Sequence, residues 1–337
     1  MKQQGFGRQV AVVGVVGVLA ASMAACGSSS GDGAGASSDK VLTRTIKVGA
    51  FPTLNGLDVQ IAAQEGYFKA EGLNVEVVPV KSAAEATPQL QGGQLDIAET
   101  DMTTAILAKA QNFPLIAVAP GTVGIKPVPT DKVGPGAQIW CGANSSVSSL
   151  TDLPGTKFAV PAVKTQVWLD VRSAVDAAGG DSSKIQFIET PDTPGAIKAG
   201  NVPCGVAPEP QGTSLLADKD LKWLSNFPTA DGGLAYMFVT GTKLAQQSPA
   251  TMAAFQRAML KANAAANADH ALSVKVATSV MGATWSPEVL SKAMYPSFDE
   301  QNITEADVTK ASDRVVQYGM LDKSAVPAPS SLIANLG

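Results

Sequence analysis

Four short stretches of the chain hold side chains that could grip a small ligand. Pro52-Thr53-Leu54-Asn55-Gly56, Thr100-Asp101-Met102-Thr103-Thr104 and Val163-Lys164-Thr165-Gln166 each stand where a strand-like run gives way to a helix-like one. In open α/β sheets, ligands bind beyond the carboxyl ends of strands, where loops run into helix N-termini. Free N–H groups and the helix dipole there favour an anionic group, the dipole by about 0.3–1 kcal/mol at exposed sites. The fourth stretch, Pro208-Glu209-Pro210, ends a strand with a carboxylate held between two stiff residues. The candidate ligand contacts are Thr53, Leu54, Asn55, Asp101, Met102, Thr103, Lys164, Thr165, Gln166 and Glu209.

Each has a plainer reading. Thr53 and Asn55 suit a turn, Asp101 suits a helix cap, and Asp58 suits the first turn of a helix. Lys164 suits a solvated surface charge, Glu209 a salt bridge to a nearby lysine, and Met102 and Trp168 a core. Helix termini with Lys164 would take a sulfonate, carboxylate or nitrate, whereas Glu209 and Asp101 would take an amine or amidine edge. A zwitterion, or a heterocycle with an amino group, would use both.

Other chemistries are poorly supplied. The sequence has one histidine, His270, in an Ala-rich helical stretch, which argues against a zinc site or a His-based triad. No metal or cofactor is expected, and no enzymatic activity. With a formal charge of −4, or −6 without residues 1–25, the chain is poorly suited to nucleic acid and to anionic membrane surfaces.

The N-terminus indicates where the chain works. Lys2 and Arg8 precede an apolar run over residues 10–21, followed by Met23-Ala24-Ala25-Cys26. Roughly a dozen apolar residues span about 18 Å as a helix, short of the ~30 Å hydrocarbon core, so an export signal is favoured over a spanning anchor. Cys26 after Met-Ala-Ala resembles the lipobox of bacterial lipoproteins, which implies cleavage after residue 25 and acylation of Cys26. A plain secretory signal, with Cys26 an ordinary residue, is the alternative. Removing residues 1–25 takes Lys2 and Arg8 from a formal charge of −4 and leaves −6. Residues 26–44, rich in Gly, Ser and Ala, read as a flexible tether. In an oxidising compartment the other two cysteines, Cys141 and Cys204, suggest one disulfide, with two buried thiols as the alternative.

The roughly 290 residues beyond the tether suit two lobes. Strand-like runs at 45–51, 73–80, 95–99 and 114–119 alternate with helix-like runs at 58–68, 83–91 and 103–111. A Pro/Gly-rich interval over 120–136 marks a boundary. The same order then restarts, with strands at 137–141, 157–160, 185–189 and 204–207 and helices at 165–178 and 193–200. A strand at 235–240 precedes a largely helical block containing 249–268, 287–294 and 305–318. The expected fold is α/β, two lobes each built on an open, mostly parallel sheet flanked by helices, with a helical C-terminal block. The expected boundaries are 45–135 with 236–337 for lobe 1, and 136–235 for lobe 2.

Several stretches resemble, in order and spacing, the bacterial substrate-binding lipoproteins for nitrate, sulfonates, taurine and thiamine-pyrimidine precursors. They are residues 48–52 with 63–77, which include Gly66-Tyr67-Phe68 and Glu71-Gly72-Leu73, then 92–97, 148–161, 197–202 with 206–210, and 316–322. The resemblance covers roughly residues 45–335. It implies a type II periplasmic-binding-protein fold whose lobes close on a small polar ligand and hand it to an ABC importer permease. The implied protein is a monomer held at the extracytoplasmic face of the membrane by lipid, such as palmitate, on Cys26. Thr53-Leu54-Asn55 offers no aromatic ring or His for stacking, which argues against a thiamine-pyrimidine-type ligand. Two rival readings are a same-fold enzyme of pyrimidine metabolism and a ligand-sensing partner of a membrane receptor.

Overall fold

The structure, a computed structural model, describes residues 40–124, 130–227 and 233–336. The expected signal segment, Cys26 and most of the expected tether lie outside the described residues. Among the described residues, twelve strands and twelve α-helices follow in the order β1 (Thr45–Ala50), α1 (Leu57–Gln64), α2 (Tyr67–Ala70), β2 (Asn74–Pro79), α3 (Ala83–Gln91), β3 (Ile97–Asp101), α4 (Met102–Ala110), β4 (Leu115–Pro120) and β5 (Thr122–Val123). Next come β6 (Ala137–Gly142), β7 (Lys157–Val160), α5 (Gln166–Ala177), β8 (Gln186–Glu189), α6 (Thr193–Lys198), β9 (Cys204–Pro208), α7 (Gln211–Leu215) and β10 (Leu221–Asn226). The chain ends with β11 (Tyr236–Gly241), α8 (Thr242–Gln247), α9 (Pro249–Ala268), α10 (His270–Met281), α11 (Pro287–Lys292), β12 (Ser297–Phe298) and α12 (Glu305–Gln317).

The long strands form two five-stranded sheets, β2-β1-β3-β11-β4 and β10-β6-β9-β7-β8. In the first, β1 runs parallel to β2 and β3, and β11 alone is antiparallel to its neighbours β3 and β4. In the second, β7 runs parallel to β8 and β9, and β6 alone is antiparallel to β9 and β10. The odd strand in each sheet is the first one laid down after the chain passes between sheets. The two passages also run side by side: Val123 bridges Leu234, and the Ala235 N–H donates to the Thr122 carbonyl at 2.9 Å.

Both sheets are covered on both faces, which is why their strands read as apolar runs. On β11, Phe238 joins one core while Met237 and Val239 join another. In the first of these, Phe255 of α9 stacks on Phe68 at 5.3 Å and meets Phe238 edge-on at 5.7 Å. On β6 the same alternation divides Ile139 and Cys141 from Trp140. The α1 helix ends at Gln64, and Gly66 has a left-handed φ of 76°.

The sheet register sets Cys141 directly opposite Cys204, and their sulfurs are bonded at 2.02 Å. Both side chains are fully buried. Non-reducing peptide mapping should recover the two joined, and two alkylatable thiols would contradict it. The bond closes a loop of 63 residues, so replacing both cysteines with serine should cost about 2–4 kcal/mol in denaturant unfolding.

Candidate functional site

The loop after β1 is built around an acid from β3. The Phe51 N–H donates to Glu99 Oε2 at 2.7 Å. At Gly56 an added Cβ would lie 2.6 Å from the Phe51 carbonyl and 2.7 Å from Glu99 Oε2, so only glycine fits this turn. Leu54 points into the core, Thr53 Oγ1 is buried without a hydrogen-bond partner among the described residues, and Asn55 faces a cavity.

Asp101 closes β3 and caps α4. Its Oδ1 accepts from the Thr104 N–H at 2.8 Å, and its Oδ2 from the Thr104 hydroxyl at 2.6 Å. Oδ1 also accepts from the Gln166 N–H at 3.1 Å, at the start of α5 and from the other sheet's layer. One carboxylate therefore occupies the N-termini of two helices. Beside it the Thr103 hydroxyl donates to Gln166 Oε1 at 2.8 Å, and Gln166 Nε2 donates to Asp170 Oδ1 at 2.9 Å. Asp170 in turn pairs with Arg314 of α12 at 2.6 Å. Arg172, on the same helix as Asp170, lies between the rings of Trp168 and Tyr318, 4.8 Å from each. Met102 is fully buried, Thr165 caps α5, and Lys164 is exposed with a left-handed φ of 59°.

Glu209 is satisfied within its own neighbourhood. Its Oε1 accepts from Gln138 Nε2 at 3.0 Å and from the Thr213 hydroxyl at 3.1 Å. The carboxylate also accepts the Thr213 N–H at 3.3 Å. Burial pushes its pKa up to about 7, against the lowering effect of these hydrogen bonds.

A cavity of about 80 Å³ opens where the chain passes between the sheets. That is several times the ~10–15 Å³ that holds one water. Asn55 and Tyr236 come from the first sheet's layer, and Gln166, Val167, Asp170, Pro208 and Phe227 from the second's. Residues 122–124 and 134–137, with Ala235 and Pro296, complete the wall. Gln138 and Asn226 pin the crossing segment: Gln138 Nε2 donates to the Gly134 carbonyl at 2.6 Å, and the Gly134 N–H donates to Asn226 Oδ1 at 2.8 Å.

Of the ten candidate contacts, Asn55 and Gln166 line the cavity. Asp101 and Thr103 stand behind Gln166 and hold it, and Glu209 adjoins the lining residue Pro208. Leu54 and Met102 belong to the cores. Sequence reading passed over Tyr236, Phe227 and Asp170. These place two aromatic rings and a carboxylate at the cavity, where Thr53-Leu54-Asn55 supplies no ring. Phe227 and Tyr236 flank the second passage between sheets, and that position is the one clue the sequence offers to them.

The acids here are unusually buried. Desolvation lifts Asp58 and Glu99 well above the ordinary carboxylate range, and the negative field of Asp58 adds to the shift of Glu99. Asp101 is raised by burial despite its hydrogen bonds. Burial, with the fields of Asp101, Glu99 and Asp170, holds the Tyr236 phenol well above its usual value and so keeps it protonated. Among the described residues, no group of three or more His, Cys, Asp or Glu side chains could hold a metal ion.

Two open sheets, each with its antiparallel strand at the passage between them, and a cavity at that passage define a two-lobed periplasmic-binding-protein fold. The chain belongs to the NMT1/THI5 like family, whose model matches residues 55–271. It is 24% identical over 232 residues to the formylaminopyrimidine-binding protein of Halalkalibacterium halodurans, covering 67% of each chain. The alkanesulfonate-binding protein SsuA of Xanthomonas axonopodis pv. citri, solved with MOPS bound, superposes with a TM-score of 0.69 at 17% identity, covering 87% of this chain and 98% of that one. The nitrate-binding protein NrtA of Synechocystis PCC 6803 does so with a TM-score of 0.62 at 15% identity, covering 83% of each.

Two measurements probe this site. Glu209 keeps its proton to about pH 7 when folded, against an ordinary value of 4.5. The folded state thus binds more protons between those values, so stability from this group is complete below the ordinary value and is lost as pH rises through 7. Asp58 and Glu99 act in the same direction. Melting temperature followed across this range should fall less steeply in Glu209→Gln than in the parent, and parallel curves would refute the assignment. Separately, Arg314→Met removes the cation paired with the buried Asp170 and should cost about 3–5 kcal/mol. Adding Asp170→Asn should restore part of that loss in urea unfolding.

Proposed function

We propose that this chain is the extracytoplasmic solute-binding protein of an ABC importer. It captures a small polar ligand in the cavity between its lobes and presents the closed form to the permease. The observation that carries the reading is the cavity itself, walled by Asn55 and Tyr236 from one sheet's layer and by Gln166, Asp170 and Phe227 from the other's. A ligand touching both walls binds the closed arrangement better than the open one and so shifts the population toward it. Family membership supports binding rather than turnover, as do a relative that binds formylaminopyrimidine and structural neighbours that bind alkanesulfonate and nitrate.

In this reading residues 45–135 and 236–337 form one lobe and 136–235 the other. Residues 1–25 are an export signal and 26–44 a tether. Lipid on Cys26 keeps the monomer beside its transporter.

The test has two parts. The protein purified from its own cells should release a small molecule on denaturation, and that molecule at 100 times its dissociation constant should raise stability by about 2.7 kcal/mol. No released molecule, together with no thermal shift across a broad solute panel, would overturn the reading. Cys26→Ser should yield a folded, ligand-competent protein in the soluble fraction with reduced uptake, and retention of that variant in the membrane fraction would refute the lipid anchor.

A further inference from the structure

The α5 helix has a foot in each layer. Val171 and Val175 belong to the core of the second sheet, with Ile139, Phe158 and Val206. Leu169 is fully buried in a core of the first sheet, with Met102, Ala105 and Ile106 of α4 and Val308 and Val315 of α12. Among the described residues buried in that core, Leu169 is the one that the second sheet's layer supplies.

Polar contacts flank it on both sides. Before it, the Gln166 N–H donates to Asp101 Oδ1 at 3.1 Å, and Gln166 Oε1 accepts from the Thr103 hydroxyl at 2.8 Å. After it, Asp170 Oδ1 accepts from Arg314 Nη2 at 2.6 Å, and Arg172 Nη1 donates to the Tyr318 carbonyl at 3.4 Å. Each of these four bonds crosses from one layer to the other. Burial of Leu169 is favourable but fixes no register, because apolar attraction has no direction. A buried ion pair adds little net attraction over its hydrated ions, yet a displaced partner leaves a buried charge unpaired. Leu169 therefore favours the seat, and Arg314 with Thr103 and Asp101 fixes where it lies.

That seat governs the cavity. The α5 helix supplies Gln166, Val167 and Asp170 to the wall, all within one helical turn of Leu169, whereas Arg314 does not line it. We propose that α5 is a latch across the cavity, seated on α4 and α12 by Leu169 and Arg314, so that the protein's own contacts hold the cavity shut. Arg314 is a positioning residue, acting on a bound solute through Asp170. The inference rests on the binding-protein reading above and adds to it what holds the layers closed. Apparent affinity scales with the fraction of molecules in the competent arrangement. The latch therefore tunes capture from outside the cavity, through a residue that no solute touches.

The experiment measures the seat by electron–electron double resonance, with spin labels on Ala177→Cys of α5 and Lys310→Cys of α12, both exposed positions. It uses the Cys26→Ser protein, in which Cys141 and Cys204 are bonded and the labels take the two free thiols. Denaturation and refolding first remove any retained molecule, and no solute is added. The expected distribution for the parent has one dominant short distance. Leu169→Ala and Arg314→Gln should each raise the ratio of long to short distances about tenfold, and Arg314→Lys, which keeps the charge, should stay near the parent. Near-ultraviolet circular dichroism checks the fold of each variant. Thr103→Ala, which removes a single hydrogen bond from the seat, serves as a further variant if either of the first two fails to fold. A dominant long distance in the parent, or folded variants whose distances match the parent's, overturns the latch. Because the distances are read without solute, that result leaves the binding-protein reading standing, which is decided separately by the released molecule and the solute panel.

Discussion

The Asp101 carboxylate is the joint on which the arrangement of the two sheets turns. The α4 and α5 helices present their N-termini to each other, and two positive dipole ends brought together would repel. A buried anion between them reverses the sign of that contact, by an amount that reaches about 2 kcal/mol in partly buried geometries. The same geometry makes the buried acid tolerable, since two backbone N–H groups and the Thr104 hydroxyl replace the water it has lost. Helix ends and carboxylate therefore depend on one another, and with Thr103 they fix where Gln166 stands.

From that joint the connection runs outward as a chain of charge and amide. Gln166 holds Asp170, Asp170 holds Arg314, and Arg172 lies between Trp168 and Tyr318. The α5 helix of the second sheet's layer is thereby tied to α12, near the end of the chain. Glu209 is held within its own layer by Gln138 Nε2 and the Thr213 hydroxyl. Pro208, next to Glu209 in sequence, lines the cavity. The cavity wall is accordingly made in part of residues engaged in holding the layers together.

Much of the fold was legible because both faces of each sheet are covered, so buried strands appear as apolar runs bounded by Gly, Pro and polar turns. The features that escaped are those lacking such a pattern. β10 carries a register shift between Trp223 and Ser225 that breaks its alternation, and α7 is five residues long. α10 follows α9 with only Asp269 between them, which serves as its cap. The site was legible only in part, for a more general reason. An Asp before a helix is the same pattern whether it caps that helix or meets a ligand, so residue type alone did not distinguish Asp101 from a contact. Phe227 and Tyr236 belong to no motif, and they reach the cavity because β10 and β11 bring the chain back between the sheets.

The acids beneath the β1 loop show how internal satisfaction shapes what is presented outside. Glu99 uses one oxygen to hold the Phe51 N–H, which draws the loop down over it, and Gly56 is the residue whose missing side chain lets the loop approach that closely. Asn55, one position earlier, is left facing the cavity. A substitution that enlarged residue 56 would therefore act on the cavity through the Glu99 carboxylate, moving Asn55 without touching it. Charge supplied from within thus sets how closely the loop approaches β3 and which of its side chains reaches the cavity.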